Sequence, residues 1–64
     1  MDEIYVKEFT VHRNTVYDNY IDTRNKALNE VNHFFNIHTC YKVLNIIEEW
    51  NEKKTVFSLI VYYY

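Results

Sequence analysis

The 64-residue chain contains no glycine, no proline and a single cysteine, Cys40. Without glycine there is no Gly-rich phosphate loop, no G-x-S-x-G nucleophile elbow and no hairpin that depends on glycine. Most cofactor enzymes are excluded with them, and no cofactor is expected. One cysteine excludes an internal disulfide. No run of about 18 apolar residues is present, as a membrane-crossing helix requires. The start, Met1-Asp2-Glu3, is acidic where a secretion signal would be basic. These features point to a cytoplasmic protein in a reducing compartment, without a membrane partner. Seven Lys+Arg against nine Asp+Glu leave a formal charge of −2, which gives no electrostatic footprint for DNA and too few carboxylates for a DNA mimic.

What is present is aromatic and β-branched: seven Tyr, four Phe and one Trp, with 48% of residues hydrophobic. A 7.9 kDa chain buries roughly 7,000 Å² on folding, of which ~4,000 Å² is apolar. At about 25 cal/mol/Å² this contributes ~100 kcal/mol, against roughly 1.5 kcal/mol per ordered residue, so the two nearly cancel. Domains in this position lean on a disulfide, a metal or a partner chain, and a homo-oligomer is therefore expected.

Along the chain, Glu3 to Val11 has strand composition, but Ile4 and Val6 share one face while Phe9 and Val11 share the other, which predicts a bulge near Lys7-Glu8. From Thr15 to Asn36 the period is helical: Tyr17, Tyr20, Ile21, Arg24, Ala27, Leu28, Val31, Phe34 and Phe35 form one stripe. Its start is open, since Thr15 with Asp18 can cap a long helix, and Asp22 or Thr23 a shorter one beginning near Thr23. Val16 to Ile21 is then either first turns or an ordered loop. Tyr41 to Trp50 fits helix or strand. The polar Asn51-Glu52-Lys53-Lys54 and the strand-like Thr55 to Tyr64 that follow favour a hairpin on a type I turn, which needs no Gly. The last strand is apolar on both faces, with Val56, Ile60, Tyr62 and Tyr64 on one and Phe57, Leu59, Val61 and Tyr63 on the other.

The predicted fold class is thus α+β: a single βαββ domain over residues 1–64, with a three-stranded, mainly antiparallel sheet. One helix packs on one face, and the chain oligomerises through the other.

The segment Tyr-Lys-Val-Leu-Asn-Ile-Ile (Tyr41 to Ile47), a polar stretch, then Phe-Ser-Leu-Ile-Val-Tyr-Tyr (Phe57 to Tyr63) resembles small βαββ accessory proteins of phages and spore-forming bacteria, including the Cse-type sporulation proteins. The resemblance covers about half of the chain and contains no catalytic motif. It implies a small accessory protein, and phage members of this size are often inhibitors of host or defence proteins. The Val11 to Tyr20 segment is longer than that pattern expects, which makes it a place to look for function.

His33, His38 and Cys40, with His12 as a fourth, contain zinc-ligand types, but the spacing matches no standard finger and no metal site is expected. Cys40 with His38 or His33 is the minimal nucleophile–base pair. Nothing in the sequence orients it, and a lone Cys beside apolar strands is usually core filler. Glu48 and Glu49 point to opposite strand faces and cannot act as an acid/base pair; Lys53 and Lys54 supply opposite charge across the turn. Trp50 caps the sheet edge or anchors a partner. The group His12, Arg13, Tyr17, Tyr20 and Arg24 suits stacking on a ring and pairing with a phosphate or carboxylate. The plainer reading of Arg24, on an apolar stripe, is an ion pair with Asp2, Glu3 or a carboxylate of a partner chain.

No activity is named by these residues, and an enzyme is not expected. Taken with what the resemblance implies, the favoured reading is a phage-type accessory protein that inhibits a host or antiphage-defence protein through an aromatic surface, in the host cytoplasm. The partner-binding residues are expected to be Arg13, Tyr17, Tyr20, Arg24 and Trp50. The alternatives are sequestration of a nucleotide or similar small anion between subunits, and a purely structural oligomer.

Overall fold

The computed structural model describes residues 3–64, so Met1 and Asp2, and with them the expected Arg24 pairing to Asp2, lie outside the described residues. Strand β1 (Tyr5–His12) is followed by helix α1 (Tyr20–Ile37) and by the hairpin of β2 (Val43–Trp50) and β3 (Val56–Tyr63). β3 lies between β1 and β2 and is antiparallel to both. This is the expected βαββ arrangement, with one helix on one face.

The β1 register runs without interruption from Tyr5 opposite Tyr63 to His12 opposite Val56, so the bulge expected at Lys7-Glu8 does not form. Alternation is kept instead: Phe9 and Val11 lie opposite Leu59 and Phe57 on the helix side, and Val6 lies opposite Tyr62 on the other side. A two-faced apolar strand needs no bulge when each face meets a different environment. The irregularity falls in β2, between Val43 and Asn45. There Asn45 Oδ1 accepts from the Ile46 N–H at 2.9 Å, an amide that points away from β3 in this register. The bulge and this local bond blunt the open edge of the sheet.

Helix α1 begins where Asn19 accepts from the Asp22 N–H at 2.8 Å and Asp22 accepts from the Asn19 N–H, a reciprocal capping box. The cap is one that composition hid, because the segment is rich in Asn and Asp. Val16 and Tyr17 belong to the loop and Tyr20 and Ile21 to the helix. Thr23, Ala27 and Val31 are buried at four-residue spacing against Phe9, Phe57, Leu59 and Val61. The Thr23 hydroxyl donates to Asn19 O at 3.1 Å, so its burial leaves no unsatisfied donor.

The helix packs over β1 and β3 and not over β2. Val43 and Ile46 are exposed for this reason, and Ile47 is exposed because it lies on the face away from the helix. On the face away from the helix the register brings Val6, Ile47, Ile60 and Tyr62 together, with Glu8, Thr10, Ser58 and Glu49 beside them. The accessible surface, 4876 Å², is about a tenth above the ~4,400 Å² that size scaling gives for a folded monomer. No helix among the described residues is long and apolar enough to cross a membrane.

Candidate functional site

The capping box sets Tyr20 at the first position of α1, and β2 ends on Trp50 opposite Phe57. These two elements meet at one end of the sheet. The Tyr20 and Trp50 rings are 5.3 Å apart at 77°, edge to face, and Trp50 rests on Phe57 at 4.8 Å. Trp50 therefore joins the core on one side and the surface on the other.

The β2–β3 turn completes the site. Asn51 accepts the Lys54 N–H through its carbonyl at 3.1 Å, and its side chain accepts the Thr55 and Val56 amides at 2.8 and 3.0 Å. The loop is glycine-free as expected, but it spans five residues, Asn51 to Thr55, rather than four, and it closes by holding Lys54 at φ 58°. A non-Gly residue in the left-handed region costs about 1–2 kcal/mol. Arg13 steadies it: the Arg13 N–H donates to Thr55 O at 2.7 Å, and its Nε donates to Lys54 O at 2.7 Å. A further guanidinium N–H reaches Asp18 O at 3.3 Å, and the guanidinium lies 4.6 Å from the Tyr20 ring centre. Tyr20, Trp50 and Lys54 line a cleft of about 270 Å³ that opens here.

Of the residues expected to bind a partner, the fold thus joins Arg13, Tyr20 and Trp50. Tyr17 stands on the preceding loop, 82% exposed, with Val16 beside it and Ile21 exposed on the first turn of α1. His12 ends β1 opposite Val56, outside this group. Arg24 is engaged elsewhere: it forms a bidentate pair with Glu48 of β2, one contact at 3.3 Å, with both side chains about half exposed. The carboxylate is neither Glu3 nor a partner chain's but one 24 positions away, on β2. The Arg24 guanidinium holds Glu48 below its ordinary carboxyl range, and Glu48 in turn raises Arg24. Asp18 is held low by the Lys26 ammonium at 2.6 Å and by the Asn14 amide. Sequence reasoning missed Lys54 as a site residue; the only signal was a loop with no glycine to take its positive φ.

Glu48 and Glu49 fall on opposite faces, opposite Leu59 and Ser58 respectively, as strand alternation requires. His38 is the C-cap of α1, against Phe34 and Tyr41, and Cys40 is exposed in the turn after it. They are therefore not on a strand, and Cys40 is not core filler. Among the described residues no three His, Cys, Asp or Glu groups converge as a metal site would need. The 18 residues of α1 put this turn roughly 27 Å from the cleft.

No family model matches the chain, and neither a curated protein nor a solved structure matches it.

Proposed function

We propose that this is a non-enzymatic binding protein that docks another protein through the end of the fold formed by Arg13, Tyr17, Tyr20, Trp50 and Lys54. One observation carries the reading. The Tyr20–Trp50 pair, crossed by the Arg13 guanidinium, opens onto a cleft and continues into the exposed Val16, Tyr17 and Ile21. Tyr, Trp and Arg are the residues that dominate binding energy at protein interfaces, and large aromatics on a fixed base lose little entropy on docking. The rigid base is β3 and α1; the recognition residues sit on a loop and on element ends, where binding groups usually lie. Arg24, tied to Glu48, is a strut between helix and sheet in this reading rather than a contact residue.

The specific form we propose is an inhibitor of a host or antiphage-defence protein in the host cytoplasm. That form rests on the resemblance of Tyr41 to Tyr63 to small phage accessory proteins. The nucleotide alternative draws on the Arg13 to Arg24 cluster, and the Arg24–Glu48 pair weighs against it.

The test is affinity capture from a lysate of the host cell, with the wild-type chain and Tyr17→Ala as baits. Tyr17 is almost free of packing, so the variant is expected to keep the circular dichroism and melting temperature of wild type while losing the captured protein. A folded Tyr17→Ala bait that retains the same protein at the same yield contradicts the proposal.

A further inference from the structure

Taking that docking end as given, we propose that the cleft between Tyr20 and Trp50 receives an apolar side chain of an acidic peptide segment on the partner, whose neighbouring carboxylates pair with Lys54 and Arg13. Size argues first. At about 270 Å³ the cleft lies just under the ~300–1,000 Å³ of pockets that enclose whole small molecules, so it suits one side chain projecting from something larger. Its aromatic walls suit a ring or a branched aliphatic group.

Charge argues second. Among the described residues the ion pairs are Arg24–Glu48 and Lys26–Asp18. The Arg13 guanidinium bonds only to the neutral carbonyls of Lys54 and Asp18 and retains further N–H donors. The Asp18 carboxylate beside it is committed to Lys26, and Glu52, two positions before Lys54, pairs with neither cation. Lys54, on the cleft wall, and Arg13, over the Tyr20 ring beside it, thus form no ion pair among the described residues, the nearest carboxylate to Arg13 being the Asp18 group bonded to Lys26, and opposite charge on the partner is the complementary arrangement.

The Arg13 guanidinium and the Lys54 backbone are also pre-set. Lys54 is pinned in the left-handed region by Asn51 and Arg13. A turn that glycine would close at lower cost here carries an ammonium beside the cleft. Groups already ordered before docking lose less entropy on binding.

Trp50 is the single tryptophan, so its emission reports directly on the cleft. The probes are acetyl-Glu-Phe-Glu-amide, its neutral analogue acetyl-Gln-Phe-Gln-amide and the basic acetyl-Lys-Phe-Lys-amide, titrated against wild type and Lys54→Gly. Lys54→Gly removes the ammonium while suiting the positive φ, so the fold is retained. The expected result is a saturable change with the acidic peptide in the millimolar range. Binding of the neutral analogue should be weaker by about fivefold to tenfold, and the acidic peptide should lose about twofold to threefold on Lys54→Gly, which removes one of the two pairings. Equal binding of all three peptides, unchanged acidic-peptide binding by Lys54→Gly, or no response to any probe overturns the inference. If the probes fail while capture still depends on Tyr17, only the acidic-segment inference falls. If they bind as expected while capture is indifferent to Tyr17, the docking proposal falls and the cleft's preference stands.

Discussion

Leu59 and Ile60 are neighbours on β3 with opposite fates. Leu59 is fully buried beneath α1 with Phe57 and Val61, whereas Ile60 lies on the face away from the helix, between Glu8 and Ile47. Leu59→Ala removes three carbons from a core built on six buried hydrophobic residues. Such truncations cost about 2.7–5 kcal/mol when the site cannot collapse, and a sheet centre under a helix collapses poorly. A chain of this length has a total stability of roughly 3–10 kcal/mol. The variant is therefore expected to lose at least about 12 °C in melting temperature, or to be unfolded at room temperature. Ile60→Ala, partly exposed, is expected to cost no more than about 1.5 kcal/mol in a monomer. Urea denaturation followed by Trp50 emission and circular dichroism measures both. A cost below about 1 kcal/mol for Leu59→Ala, or equal costs for the two variants at every protein concentration, refutes the assignment of faces.

Self-association through the open face predicts a sedimentation mass above 7.9 kDa at low micromolar concentration, reduced to the monomer or to unfolded chain by Ile60→Asp; a folded wild-type monomer at that concentration contradicts it. Asn19→Ala removes the cap of α1 and is expected to cost about 1 kcal/mol, read as a lower urea midpoint at unchanged slope. Asp18 and Glu48 have depressed carboxyl pKa values in the fold relative to 3.8 and 4.5. Their stabilisation is therefore complete above those ordinary values and fades as pH falls through the lower folded ones. Glu48→Gln with Asp18→Asn should flatten the acid limb of the urea midpoint measured from neutral pH to below pH 4, relative to wild type; an unchanged limb contradicts the two pairings.

Much of the fold could be read from periodicity. The stripe Ala27, Val31, Phe34 and the alternation Phe57, Leu59, Val61 each imply one buried face, and those faces meet. The glycine-free hairpin was legible because the polar Asn51 to Lys54 stretch separates two strand-like runs. What periodicity could not supply were contacts set by the packing of one element on another. Arg24 reaches Glu48 across the gap between α1 and β2, the exposure of Val43 follows from the helix packing over β1 and β3, and Ile47 is exposed because it lies on the face away from the helix. The start of α1 was obscured by several nearby Asx residues, each able to cap, and only backbone geometry selects Asn19. At the candidate site, aromatic and guanidinium residues crowded into Arg13 to Arg24 marked half of the cleft. The other half, Lys54, depended on knowing which loop residue takes positive φ.

The decisive quantity is where the partner touches the protein. Isotope-labelled protein, titrated with the captured partner and followed by amide chemical shifts, answers this in one spectrum series. Shifts concentrated at Arg13, Tyr17, Tyr20, Trp50 and Lys54, with Glu8, Ile47 and Ile60 unmoved, are the predicted result. Shifts concentrated on Val6, Ile47, Ile60 and Tyr62, with the cleft residues unmoved, would contradict it.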